Sequence, residues 1–184
     1  MDNRMIQLVN EYLGNERDTG SKGRATEVIT RAVLNATAER VHPLGVGDVT
    51  KRYKGSLEVK TGSGWLVNPC YASKDEALQE IANGLPNFKK SRYIAYAPAA
   101  FLNVGMTAQA AIQAVTASVR VYKHREFLEC VSEAGLFVAK KSSSGVWGVA
   151  IQTFTNSMKR EALWYSILEN HGTSLLEFAE KWKG

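Results

Sequence analysis

Asp48, Glu58 and Lys60 are the residues of this chain whose types and spacing could do chemistry together. Cutting a phosphodiester needs a divalent cation on the scissile phosphate, holding a water or hydroxide. Magnesium takes hard oxygen ligands and commonly only one or two carboxylates, the rest being water and phosphate. A lysine beside those carboxylates can position the water or offset charge that builds on the phosphate. Glu58-Val59-Lys60 supplies an acid and a lysine two residues apart, and it is the one acid–x–lysine triplet in the chain. Side chains two apart on a strand project from one face. The carbonyl of Val59, between them, offers a further hard oxygen.

The elements that must position these residues are legible around them. "DVTKRY" and "SLEVKT" are short, β-branched and aromatic, and read as two antiparallel strands joined at Lys54-Gly55. Pairing about that turn sets Asp48 roughly opposite the end of the second strand, near Lys60 and Thr61. Upstream, Ala25, Val28, Ile29, Ala32, Val33 and Ala36 recur at helical spacing after a capping Ser21, which predicts a helix from about Lys22 to Arg40. Glu27 lies about 100° from Val28 on that helix, beside the apolar stripe, from where it could lean over the strand end. Ser73-x-x-Glu76, Gly84 and Pro86 mark both ends of a helix, and "SRYIAYAP" is an apolar strand that Pro98 ends. A short N-terminal helix carries Met5, Leu8, Val9, Tyr12 and Leu13. Further helices are expected near Thr107–Ser118 and His124–Ala134, then a hairpin turning at "SSSG", then two closing helices. The first of these starts at Asn156 or Ser157; the last is capped by Thr173 or Ser174, with Glu177 placed for a capping box.

Glu27 on a first helix, then Asp48, then Glu58-Val59-Lys60 resembles the PD-(D/E)xK nuclease superfamily, and within it archaeal Holliday-junction resolvases and related phage nucleases. The resemblance implies a restriction-endonuclease-like α/β fold, a central mixed sheet flanked by helices. Its core is a helix, a three-strand meander, a second helix and a fourth strand. Here these would be about Lys22–Arg40, Val41–Leu44, Asp48–Tyr53, Ser56–Thr61, Ser73–Asn83 and Arg92–Ala97. The whole chain, 1–184, would be a single domain, with the nuclease-like core at about 21–97 and a mainly helical extension with a hairpin at 98–184. The resemblance further implies that Asp48 and Glu58 hold Mg²⁺ or Mn²⁺ with the Val59 carbonyl, that Lys60 is the catalytic lysine, and that Glu27 is the first-helix acid of a subset of the family. Gly47 stands where the family often has proline before the aspartate.

Composition agrees with a globular protein that meets an anion. Apolar residues are 45%, charged residues 22%, and the net charge is +5, which favours DNA as a partner. Lys51, Arg52 and Lys54 on the hairpin, with Lys89, Lys90 and Arg92 before the fourth strand, are the candidate DNA contacts. Arg120, Lys123, His124 and Arg125, and then Lys140-Lys141, are further basic clusters. Trp65 either packs in a core or stacks on a base or sugar. Residues 93–119 carry no charge, yet Pro98, Asn103, Gly105, Gln109 and Gln113 interrupt them, so a buried strand and helix are expected rather than a membrane span. Two distant cysteines and no apolar leader point to an intracellular protein without disulfides. "GSKG" falls short of a phosphate-binding loop motif, and G-x-S-x-G is missing. Three functions follow: a DNA endonuclease, a nucleic-acid-binding module on the same fold without turnover, or an assembly protein that joins copies through residues 98–184. A homodimer is compatible with the first as well as the last.

Overall fold

The computed structural model of the protein describes residues 3–14, 21–34, 49–51, 55–61, 64–88, 90–97, 105–152 and 170–183. The first helices, α1 (Asn3–Gly14) and α2 (Ser21–Val33), each form around one apolar stripe. They pack together and bury Val9, Leu13, Ala25 and Ile29. Strands β1 (Val49–Lys51) and β2 (Gly55–Thr61) make an antiparallel hairpin. Then come β3 (Trp65–Tyr71), α3 (Lys74–Ala82), β4 (Tyr93–Ala97), α4 (Ala108–Ser118), β5 (Arg120–Lys123) and α5 (His124–Glu133). The hairpin of β6 (Phe137–Lys141) and β7 (Trp147–Ile151) follows, and β8 (Thr173–Ser174) leads into α6 (Leu175–Lys183).

Local chemistry fixes the helix ends. Ser73 Oγ accepts a hydrogen bond from the Glu76 amide at 3.2 Å. The Glu76 carboxylate turns back to the Ala72 amide at 2.9 Å, one residue earlier than a strict capping box places it. At the other end Gly84 and Leu85 donate to the carbonyls of Ile81 and Glu80, both at 3.0 Å. That pair of bonds needs the left-handed backbone Gly84 supplies, with φ of 79°. The buried Glu80 carboxylate then accepts from the backbone and side-chain amides of Asn87, at 2.7 and 3.0 Å, and fastens the chain on its way to β4. Ser174 caps α6 through the Glu177 amide at 3.2 Å.

The main sheet runs β1-β2-β4-β5-β8. Its pairs are antiparallel except β2 with β4, where Leu57 faces Tyr93 and Thr61 faces Ala97 in parallel. A parallel pair needs a crossover, and β3 with α3 provides it. β3 leaves the main sheet and joins β7 and β6 in a separate antiparallel sheet, β3-β7-β6. Alternation along the main-sheet strands therefore divides the interior. Leu57, Val59, Ala95 and Val121 pack with α1, α2, α4 and α6. Ile94, Tyr96 and Tyr122 pack with the second sheet, α3 and α5.

The expected mixed sheet flanked by helices is present, as are α3, β4, α4, α5 and the β6–β7 hairpin at the expected places. The uncharged run holds β4 and α4, and among the described residues no helix is long and apolar enough to cross a membrane. The second sheet was not foreseen, nor was the entry of β5 and β8 into the main one. The expected pairing about Lys54-Gly55 is corrected: Gly55 is itself paired with Lys51, and Val49 faces Leu57. Residues 52–54, between the two strands, lie outside the described residues. The expected strand at Val41–Leu44, the end of the first helix toward Arg40 and the closing helix from Asn156 or Ser157 lie outside the described residues.

Within the second sheet, β7 passes closest to β3 at a residue without a side chain. A Cβ at Gly148 would come within 2.6 Å of the Val67 carbonyl oxygen and 2.9 Å of the Pro69 nitrogen, both backbone atoms. Gly148→Ala is expected to cost about 1–3 kcal/mol in urea unfolding. Gly14→Ala, with nothing within 4 Å at the end of α1, is expected to be neutral or stabilising by up to about 1 kcal/mol.

Candidate active site

β2 has β1 on one side, paired with Gly55 to Leu57, and β4 on the other, paired with Leu57 to Thr61. Leu57 and Val59 turn into the helical core, which sends Glu58 and Lys60 to the opposite face as expected. Glu58 is fully buried. Lys60 Nζ lies 2.9 Å from its Oε1, and the lysine side chain keeps 20% of its exposure. A buried carboxylate costs several kcal/mol in lost hydration unless a cation and hydrogen bonds offset it. Lys60 is that cation, and its side chain is partly exposed. Gly64 sits against its stem: the Gly64 amide donates to the Thr61 carbonyl at 3.2 Å, and a Cβ there would lie 3.9 Å from Lys60 Cδ.

Lys60 faces Tyr96 near the carboxyl ends of the parallel strands β2 and β4. Open α/β sheets place ligands at that end. The candidate DNA contacts fall elsewhere. Lys51 pairs with Gly55 at the start of β2, and the exposed Lys90 and Arg92 precede the start of β4. The Arg92 guanidinium lies 5.4 Å from the centre of the Tyr93 ring. These cations mark the opposite end of the parallel pair from Lys60. Arg52, Lys54 and Lys89 lie outside the described residues, as does Asp48.

Glu27 is part-buried and makes an ion pair and hydrogen bond with Arg31 one turn on. Its helix covers the Leu57 and Val59 face, away from Glu58, although Gly23 comes near Thr61 Oγ1 at the end of β2. The structure thus unites Glu58 and Lys60 and engages Glu27 with a partner on its own helix. Among the described residues no three His, Cys, Asp or Glu side chains gather closely enough to hold a metal ion. Glu58 is the hard-oxygen donor the described site offers.

His124, read from sequence as a structural or surface residue, lies within the field of Glu58. It opens α5, its amide donates to the Arg92 carbonyl at 3.1 Å, and its ring packs on Phe88 with centres 5.0 Å apart. Burial holds its imidazole below the usual histidine range, opposed by a hydrogen bond with the Ser91 backbone and by the Glu58 charge. The adjacent strand-formers Val121 and Tyr122 just before His124 were the sequence signal for the strand that leads into it.

Two stability outcomes follow. Lys60→Met removes the cation beside a buried acid and is expected to cost about 3 kcal/mol. Arg125→Met breaks the exposed pair with Glu129 and should cost at most about 1 kcal/mol; urea titrations of both variants check the contrast. For His124, a folded pKa below the unfolded one means that the unfolded chain takes the proton first. Its contribution is complete above the ordinary histidine range of about 6.5 and is lost as pH falls through it. Wild type should therefore lose stability as pH falls below about 6.5, and His124→Gln should flatten that limb of the unfolding free energy.

No protein-family model matches the chain, and no match is found among curated proteins or solved structures.

Proposed function

We propose that the protein is a metal-dependent endonuclease that hydrolyses DNA phosphodiester bonds, with branched, resolvase-type DNA among its substrates. The observation that carries this is the Glu58–Lys60 pair: a buried carboxylate 2.9 Å from a lysine on a central stretch of sheet. It stands near the carboxyl end of a parallel strand pair, with the lysine partly exposed. The order α2, β1, β2, α3, β4 is in keeping with part of the core that the PD-(D/E)xK resemblance implies, with β3 inserted after the E-x-K strand and the first expected strand, Val41–Leu44, outside the described residues.

Mg²⁺ or Mn²⁺ bound there would supply a Lewis acid on the phosphate and an activated water. Glu58 would hold it through carboxylate oxygen, with the Val59 carbonyl beside it. Asp48 is needed as the second carboxylate. It precedes β1 in the chain and lies outside the described residues. Lys60, now closed onto Glu58, would turn its ammonium to the attacking water or to a phosphate oxygen as the carboxylate takes the divalent ion.

The same closure favours a second reading. A fully buried acid paired to its own lysine also suits a structural ion pair in a nucleic-acid-binding or assembly protein without turnover. Plasmid, linear and branched DNA incubated with Mg²⁺ or Mn²⁺ separate the two. Wild type should cut, and Asp48→Ala and Lys60→Ala, each confirmed folded by circular dichroism, should cut about 100-fold more slowly or less. Cutting that survives both substitutions would sink the site. DNA bound but intact with wild type would establish the second reading.

A further inference from the structure

We infer that Trp65 and Lys140 form a contact for unpaired bases of the DNA, which names the substrate class of the proposed site and rests on that reading for its place. A Cβ built on Gly64 would lie 3.9 Å from Lys60 Cδ, and Trp65 is the next residue, so β3 begins near the Lys60 end of β2. The Trp65 ring is half-buried, and Lys140 Nζ stands 5.2 Å from its centre. Sheet pairing builds this approach. Trp65 faces Ala150 on β7, Ala150 faces Val138 on β6, and Lys140 follows two residues on from Val138 along the same face. The exposed Lys140 lies at the end of β6 that turns back through Ser142 and Gly145.

An aromatic face and a mobile cation at one spot match a nucleotide, which offers a flat base and a phosphate. An exposed cation–π contact is worth only about a two- to fivefold preference. Stacking a base on an aromatic side chain is worth about 5- to 150-fold. A base therefore displaces the ammonium from the ring at a net gain, and the displaced ammonium can take the phosphate. Bases within a duplex already have both faces covered by neighbours, so only unpaired bases can use Trp65. The candidate cations at the far end of β2 and β4 serve backbone contact of any DNA; Trp65 and Lys140 add selection for a single-stranded or frayed segment beside Lys60.

The test is equilibrium binding in EDTA, where cutting plays no part. A labelled thymidine oligonucleotide of about 20 nucleotides and a duplex of equal length are titrated by fluorescence anisotropy at one salt concentration. Wild type should prefer the single strand. Trp65→Ala should weaken that binding about 5- to 150-fold, Trp65→Phe should keep most of it, and Lys140→Gln should weaken it less than Trp65→Ala. Equal affinity for the two DNAs, or single-strand binding unchanged in Trp65→Ala, overturns the inference. Metal-dependent cutting without single-strand preference would refute this contact and leave the cutting site standing. Single-strand preference lost in Trp65→Ala without cutting would do the reverse.

Discussion

A carboxylate with no access to water has to be compensated, and in this protein the cation that compensates Glu58 grows from the same strand, two residues on. That arrangement is available only if Glu58 and Lys60 share a face, which requires β2 to stay regular from one to the other. The parallel ladder with β4 enforces it. β1 holds the first half of β2, and β4 pairs with β2 from Leu57 through Thr61. The helical core beneath Leu57 and Val59 fixes which face is which, since a one-residue slip would bury Lys60 among apolar side chains.

The second sheet gives the Glu58 face its low-polarity surroundings. It packs Val67, Val149 and Ile151 against Ile94 and Tyr96, and the Phe127 ring meets those of Tyr96 and Tyr122 in tilted contacts, with centres 5.4 and 5.7 Å apart. The closure is pinned by small residues and long reaches. Gly148 lets β7 pass the β3 backbone, and Gly172 lies against the Tyr122 ring. Arg120 donates to the carbonyls of His171 and Gly172, and Glu126 accepts from the Gly172 amide, so the chain around β8 is tied to β5 and α5. In such surroundings a charge pair interacts more strongly than in water. That is a requirement for catalysis on a phosphate and equally a property of a structural ion pair, which is why the meaning of the pair turns on its affinity for a divalent ion.

Much of this was legible because local rules wrote it. Ser73, Glu76 and Gly84 announced α3, an uncharged run announced β4 and α4, and alternation in "SLEVKT" put Glu58 and Lys60 on one side. What escaped was long-range. Whether β3 pairs with β2 or with β7 depends on a partner about eighty residues away. β5 is four residues long, and its lysine and arginine read as a basic cluster while Val121 and Tyr122 do the packing. The hairpin register escaped because more than one pairing of the two strands fits the same sequence, and that choice moves every cross-strand neighbour of β1. Glu27 was placed by its angle on the helix, yet angle alone does not tell which face of the sheet the helix covers.

The central claim is that Glu58 is a metal ligand held in reserve by Lys60. Anomalous diffraction from crystals soaked in manganese chloride tests it most directly. The account expects a manganese peak within about 2.4 Å of a Glu58 carboxylate oxygen, with Lys60 Nζ moved off that carboxylate. Manganese bound elsewhere or not at all, with the Glu58–Lys60 pair still closed at full metal concentration, would contradict it and leave a structural ion pair in its place.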